Sequence, residues 1–154
     1  MELLYFEDFP VGEVVEFGDR TVSADEIVEF ARQFDPQPFH LDEAAARESM
    51  AGGLIASGWH SAALMMRINC DEFFLRSSAQ GSPGIESIDW LKPVRPGYRL
   101  SVRRTTLGAR TSRSRPDIGV VEMRFELMNH NREVVMRQQG SVFFGRRPDG
   151  ETQA

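Results

Sequence analysis

Cysteine occurs once, at Cys70, and lysine once, at Lys92. A lone cysteine closes no intramolecular disulfide and supplies no CxxC pair, which excludes cysteine-based zinc and redox chemistry. With a single lysine and no G-x-x-x-x-G-K-[ST] run, a phosphate-cradling P-loop is excluded as well. No stretch approaches the roughly 20 consecutive apolar residues that span a bilayer. The chain starts with Glu2, Glu7 and Asp8 where a leader would be basic and then apolar. A cytoplasmic protein without membrane contact is therefore expected. His40, His60 and His130 share no metal-ligand spacing. No G-x-S-x-G elbow is present, and His60 and Ser61 are sequence neighbours that do not face each other on a helix, so they form no nucleophilic pair.

What is present fits one ordinary folded unit. The 154 residues (17.4 kDa), 41% hydrophobic and 27% charged, are enough to bury about 70% of the unfolded surface around a single core. The net charge of −5 hides an asymmetry: residues 1–50 hold 13 acidic and 3 basic side chains, residues 51–154 hold 10 acidic and 15 basic. Five arginines fall between Arg103 and Arg115. They read either as a solvated strand face with its turn or as a patch facing an anion. Nucleic acid is not expected as a partner, because the net charge is negative and this stretch has no aromatic residue to stack on a base.

Phe9-Pro10-Val11-Gly12 marks a turn, and Glu13 to Val22 suits a strand. Ser23-Ala24-Asp25-Glu26 is a capping box, after which Ile27, Phe30, Ala31 and Phe34 recur at helical spacing. Pro36 and Pro38 stop that helix near Asp35 and make Asp35 to Leu41 a stiff, irregular segment. Asp42 then caps a short Ala-rich helix. After Gly52-Gly53, Ser57-Gly58 opens a longer helix carrying Trp59, Ala62, Ala63, Met66, Cys70 and Phe73 along one stripe. Leu64, Met65 and Ile68 add apolar surface on its other sides, so the helix is expected to be enclosed by the fold, with Cys70 in the core. Ser77 to Gly84 reads as a polar loop. Strands follow at Ile85 to Leu91, Tyr98 to Thr106, Val120 to Met128 and Val134 to Phe144, with Gly108 to Gly119 as a loop and a mobile tail over residues 147–154. Strands in sequence with short turns pair antiparallel. The expected class is α+β, a curved antiparallel sheet around one long central helix, in a single domain over residues 1–154.

Chemistry concentrates in Phe34-Asp-Pro-Gln-Pro-Phe-His40-Leu-Asp42. A carboxylate (Asp35), an amide (Gln37) and an imidazole (His40) sit there on a proline-stiffened loop beside apolar residues. An imidazole trades protons near neutral pH, and a carboxylate beside it can orient the ring or share a water. Fully extended, the five residues from Asp35 to His40 span roughly 16 to 18 Å, so the loop must fold back for the pair to share anything. The alternative is structural: Asp35 ends one helix, Asp42 caps the next and His40 satisfies a buried carbonyl. Ser57-Gly58-Trp59 is the second candidate. Helix-start amides lack intrahelical partners, and Gly58 allows an oxyanion to approach the backbone. Equally, glycine there simply lets the helix start against the sheet.

Asp35-Pro-Gln-Pro-Phe-His40-Leu-Asp42 resembles the hydratase motif of the MaoC-like dehydratases, the family that includes R-specific enoyl-CoA hydratases. Tyr5-Phe-Glu-Asp-Phe-Pro-Val-Gly12 resembles the family's opening, Leu54-Ile-Ala-Ser-Gly-Trp59 its oxyanion segment, and Leu91-Lys-Pro-Val-Arg-Pro-Gly97 a later turn. The similarity covers about residues 5–145. It implies a hotdog fold whose overhanging segment carries the catalytic loop. It implies a dimer, with an acyl-CoA lying partly between subunits and its phosphates against basic side chains. Carried onto this chain, Asp35 and His40 activate one water for syn addition to a trans-2-enoyl thioester, and Gly58 N–H holds the enolate oxygen. Ser57, Trp59 and Gln37 line the substrate site. No metal or redox cofactor is implied, coenzyme A being part of the substrate. The chain departs from the family at Gln37, where Asn is usual, at Ser57 and Trp59, where His and Met are frequent, and at Tyr98, where an acid is common. Two other readings of such a fold remain. One is a thioesterase using a helix carboxylate such as Asp71 or Glu72. The other is a non-catalytic subunit that binds acyl thioesters.

Overall fold

A computed structural model describes residues 2–149. Six strands form one antiparallel sheet among the described residues: β1 (Val14–Thr21), β2 (Ala79–Gly81), β3 (Ile85–Trp90), β4 (Arg99–Thr111), β5 (Ile118–Met128) and β6 (Val134–Gly145). Their order is β1-β4-β5-β6-β2, and β3 pairs with a different stretch of β6. Four helices lie between β1 and β2: α1 (Ala24–Phe34), α2 (Pro38–Leu41), α3 (Glu43–Arg47) and α4 (Gly58–Glu72). The sheet wraps α4 and the other three helices form an overhang at its start, which is the hotdog arrangement.

Local chemistry accounts for the ends of these elements. Ser23 Oγ accepts from Glu26 N–H while Glu26 reaches back to Ser23 N–H, the reciprocal capping that starts α1. Asp42 Oδ2 accepts from Ala45 N–H at the start of α3. Leu64, Met65 and Ile68 of α4 enter one core with Leu100 and Val102 of β4 and with Val121, Met123, Phe125 and Leu127 of β5. β1 accommodates the helix at Gly18, where the register shifts. Its φ is +87°, and a Cβ there would lie 2.5 Å from Ile68 Cγ2. Only glycine meets both conditions.

Several expectations change. Pro38–Leu41 forms a helical turn where an irregular segment was expected, because proline at the first helical position has a suitable φ and needs no N–H partner. β2 lies inside the expected polar loop. It lacks β-branched and aromatic residues, and its strand state comes from pairing with Phe143 and Phe144 of β6. β4 and β5 extend into the expected loop at Gly108 to Gly119, the register shift at Gly108 letting β4 continue to Thr111. α4 is not enclosed all round within one chain. Its Leu64–Met65–Ile68 side is buried, whereas Trp59 and Met66 are 60% and 47% exposed and Cys70 is half-buried.

The tail expected to be mobile from residue 147 is held at its start. Arg147 pairs with Asp8 and Glu2 and lies over the Tyr5 ring. Residues 150–154 lie outside the described residues.

In the arginine-rich stretch Arg103 and Arg104 have partners distant in sequence, whereas Arg115 has a local one. Arg103 pairs with Glu126 and Glu16, and Arg115 pairs with Asp117. Arg104 is buried between the Phe9 and Phe73 rings, 5.0 and 4.9 Å from their centroids, and paired with Glu13. The strand-face reading holds, with Arg104 turned inward as part of the core.

Candidate active site

Pro36 ends α1 at Asp35, and Gln37 N–H donates to the Asp35 carbonyl at 2.8 Å, turning the chain. The single turn of α2 then carries His40 back, so that His40 Nε2 lies 3.3 Å from Asp35 Oδ2. The fold-back that the sequence left open is therefore made, and it is made by the two prolines. His40 is 4% exposed, and its Nδ1 is 2.7 Å from the Ile55 carbonyl. A carbonyl only accepts, so Nδ1 carries the hydrogen. In the neutral ring Nε2 then presents its lone pair towards Asp35.

Asp35 is itself fixed by two donors. Ser57 Oγ–H donates to Oδ2 and Gln37 Nε2–H to Oδ1, both at 2.7 Å. Burial pushes the Asp35 carboxyl up, but the Ser57 and Gln37 hydrogen bonds and the nearby His40 charge outweigh it and hold the group below the usual aspartate range. Asp35 is thus ionised at neutral pH, with a side chain 16% exposed and reachable from the cavity.

A cavity of about 820 Å3 opens onto the pair. Asp35, Gln37, His40, Gly58 and Trp59 line it, and Ser57 stands fully buried behind it as the donor to Asp35. Gly58 begins α4, so its N–H is among the amides without an intrahelical partner. A Cβ on Gly58 would lie 2.5 Å from the Trp90 ring, and Trp59 meets Trp90 edge to face at 5.2 Å. All six sequence candidates are brought together. Three contributors were not among them. The Ile55 carbonyl is a backbone group without a sequence signal. Trp90 was readable only as a strand aromatic. Arg95 lines the cavity from the Pro93–Gly97 turn, donating to the Ala51 carbonyl at 2.6 Å with no carboxylate in ion-pair range among the described residues.

The rival carboxylates lie elsewhere. Asp71 is exposed and paired with Arg67 at 3.0 Å; Glu72 is exposed at the end of α4, and neither lines this cavity. His60 is buried and stacked on Phe30 at 4.6 Å, and burial pushes its pKa down. Among the described residues no cluster of His, Cys, Asp or Glu could hold a metal ion, and no helix is long and apolar enough to cross a membrane.

A family model for the MaoC-like domain matches residues 8–127, most of the sheet and the whole overhang. The chain belongs to the MaoC-like dehydratase family. A MaoC-like dehydratase from Rhodospirillum rubrum is 42% identical, with a TM-score of 0.86 over 94% of this chain and 99% of that one. The R-hydratase PhaJ1 from Pseudomonas aeruginosa, 19% identical, shares the fold with a TM-score of 0.76 over 99% of this chain and 95% of that one. An uncharacterized protein, YdeM, of Bacillus subtilis (strain 168) is 27% identical over 91% of this chain and 98% of its own length. In this MaoC-like chain the Asp35 carboxylate faces the His40 imidazole, with serine and glutamine as the supports of Asp35.

Those supports predict a titration. The stabilisation from a depressed carboxyl is fully present above its unfolded pKa and is lost as pH falls through its folded pKa. Ser57→Ala removes one lowering hydrogen bond, so the Asp35 pKa rises and that loss begins at higher pH. NMR titration of the Asp35 carboxyl carbon reads this directly. An unmoved midpoint in Ser57→Ala would show that the Ser57 bond does not hold the charge.

Proposed function

We propose that this chain catalyses the reversible hydration of trans-2-enoyl thioesters to (R)-3-hydroxyacyl thioesters. The observation that carries the reading is the 3.3 Å approach of His40 Nε2 to Asp35 Oδ2 with Nδ1 committed to Ile55. A lone pair facing a carboxylate is unfavourable without a proton between them. A water at the cavity side of the pair relieves this by donating one hydrogen to each group. As its oxygen attacks the β-carbon, Nε2 takes one proton, and the ionised Asp35 stabilises the imidazolium that forms. The double-bond electrons shift towards the thioester oxygen, where Gly58 N–H at the positive end of α4 receives the developing charge. The proton then passes to the α-carbon from the same side, so the net change is the addition of one water. Dehydration follows the same steps in reverse. Coenzyme A enters only as part of the substrate.

The hydration is followed by loss of the conjugated double bond in the ultraviolet, using a panel of trans-2-enoyl-CoA substrates. Asp35→Asn and His40→Ala are each expected to lower turnover by about 100-fold or more, within the range of a lost general acid–base group, while circular dichroism stays native. Near-normal turnover in either variant would remove that residue from the mechanism.

We further infer that the protein is a homodimer. β3 pairs only with β6 among the described residues, which leaves its other edge open, and Trp59, Met66, Ile85 and Trp90 expose apolar surface along it. An open strand edge flanked by apolar side chains is a template for pairing with a second chain. Light scattering at micromolar concentration is expected to give twice the 17.4 kDa chain mass; a monomer at that concentration would contradict the inference.

A further inference from the structure

Besides the His40 imidazole, the cavity wall holds three ionisable side chains, Asp35, Lys92 and Arg95. Asp35 is committed to Ser57, Gln37 and His40, and Lys92 is paired with Glu133. Arg95 differs from both. Among the described residues its guanidinium makes one hydrogen bond, from Nη2–H to the Ala51 carbonyl at 2.6 Å, and no ion pair. That contact uses one of the five N–H donors of an arginine. Its Nε and Nη1 have no partner and are open to solvent, unlike the Nε atoms of Arg20, Arg104 and Arg124, which are buried without one.

The backbone fixes where this cation stands. Ala56 N–H donates to the Val94 carbonyl at 2.9 Å and Gly97 N–H to the Val22 carbonyl at 2.7 Å, so the turn carrying Arg95 is held on both sides. Gly53 is buried with a φ of +159°, and a Cβ on it would lie 3.1 Å from Arg95 Nη1. Glycine there lets the guanidinium lie against the chain. Glu43, beside the same glycine, does not neutralise it, because its carboxylate is taken by Arg47 at 3.1 Å and by Leu54 N–H at 3.0 Å. The segment that anchors Arg95 at Ala51 also anchors His40 at Ile55 and supplies Ser57 to Asp35. Four residues span at most about 14 Å, so the anchors of Arg95 and His40 stand close enough for both side chains to address one bound ligand.

A cation in a wall that also carries Phe39, Ile55 and Trp90 is tolerated while water fills the cavity. A ligand that displaces this water leaves the charge unpaired unless it brings a counter-charge. The planar fork of a guanidinium meets an oxyanion through two parallel N–H donors. Resting on the hydratase reading, we propose that Arg95 is the anion-recognition residue of this cavity and pairs with an oxyanion carried by the thioester. A thioester carries such a group in one of two places, on the nucleotide of coenzyme A or on a carboxylated acyl chain.

Three substrates separate these sources. Crotonyl-pantetheine is uncharged, crotonyl-CoA adds the nucleotide phosphates, and trans-glutaconyl-pantetheine adds an acyl carboxylate. Arg95→Gln is expected to raise KM by about tenfold or more for a charged substrate, the effect of a lost charge-assisted pair, while kcat and the constants for crotonyl-pantetheine stay near wild type. Arg95→Lys keeps the charge without the fork and is expected to recover part of the loss. A rise confined to crotonyl-CoA assigns the phosphate, and one confined to the glutaconyl substrate assigns the acyl carboxylate. No change with any substrate, or an equal change with all three, would overturn the proposal, since support of the Ala51 carbonyl would then account for Arg95. A changed mass of Arg95→Gln in light scattering would place its charge at a subunit contact and overturn it too. If the wild type hydrates none of the three, the hydratase reading fails, and the anion site is judged from binding alone. Calorimetry with butyryl-pantetheine, butyryl-CoA and glutaryl-pantetheine should then show Arg95→Gln weakening a charged ligand and sparing the uncharged one. Binding that is absent, unchanged or uniformly weakened would refute the anion site.

Discussion

The hydrogen bond between His40 Nδ1 and the Ile55 carbonyl is the constraint on which the rest of the site depends. It joins α2 to the segment that leads into α4, and so ties the overhang to the start of the central helix. It also fixes which ring nitrogen is protonated, and therefore what faces Asp35. Without it the imidazole could turn, and the carboxylate and the lone pair would no longer address the same point. The His40 ring itself is only 4% exposed, which limits competition from water for this bond.

Around that bond the chain settles the competing demands on Asp35. Burial alone favours a neutral carboxyl, which could not stabilise a developing imidazolium. Ser57 and Gln37 reverse the balance by donating to its two oxygens. Ser57 does so from the residue just before Gly58, so one short segment supplies the donor to the carboxylate and the helix-start amide proposed for the oxyanion. Asp35, Gln37, His40 and Ser57 are thereby coupled in one cluster. This coupling also gives Ser57 and Gln37 a shared physical role.

Much of this was legible in the sequence where the cause is local. The Ser23–Glu26 capping box, the Asp42 cap and the proline stop at Asp35 are all short-range signals, and each appears where it was read. What depends on distant partners was not legible. The Ile55 carbonyl has no residue signature, and β2 is a strand only because β6 is beside it. Arg103 and Arg104 could be read as a solvated face or as part of a patch because their partners Glu13, Glu16 and Glu126 lie far from them in sequence. On α4 both faces carry apolar residues, so periodicity could not tell the core face of Leu64, Met65 and Ile68 from the open face of Trp59 and Met66.

The central claim is that one water, held by Asp35 and His40 on one side of the substrate, supplies both the hydroxyl and the proton. The stereochemistry of addition in deuterium oxide tests this most directly. With a trans-2-enoyl-CoA substrate, the account predicts an (R)-3-hydroxyacyl product with deuterium at the α-carbon on the same face as the new hydroxyl, read by NMR after hydrolysis of the thioester. Deuterium on the opposite face would require a second proton donor across the substrate and would contradict the single site described for Asp35 and His40.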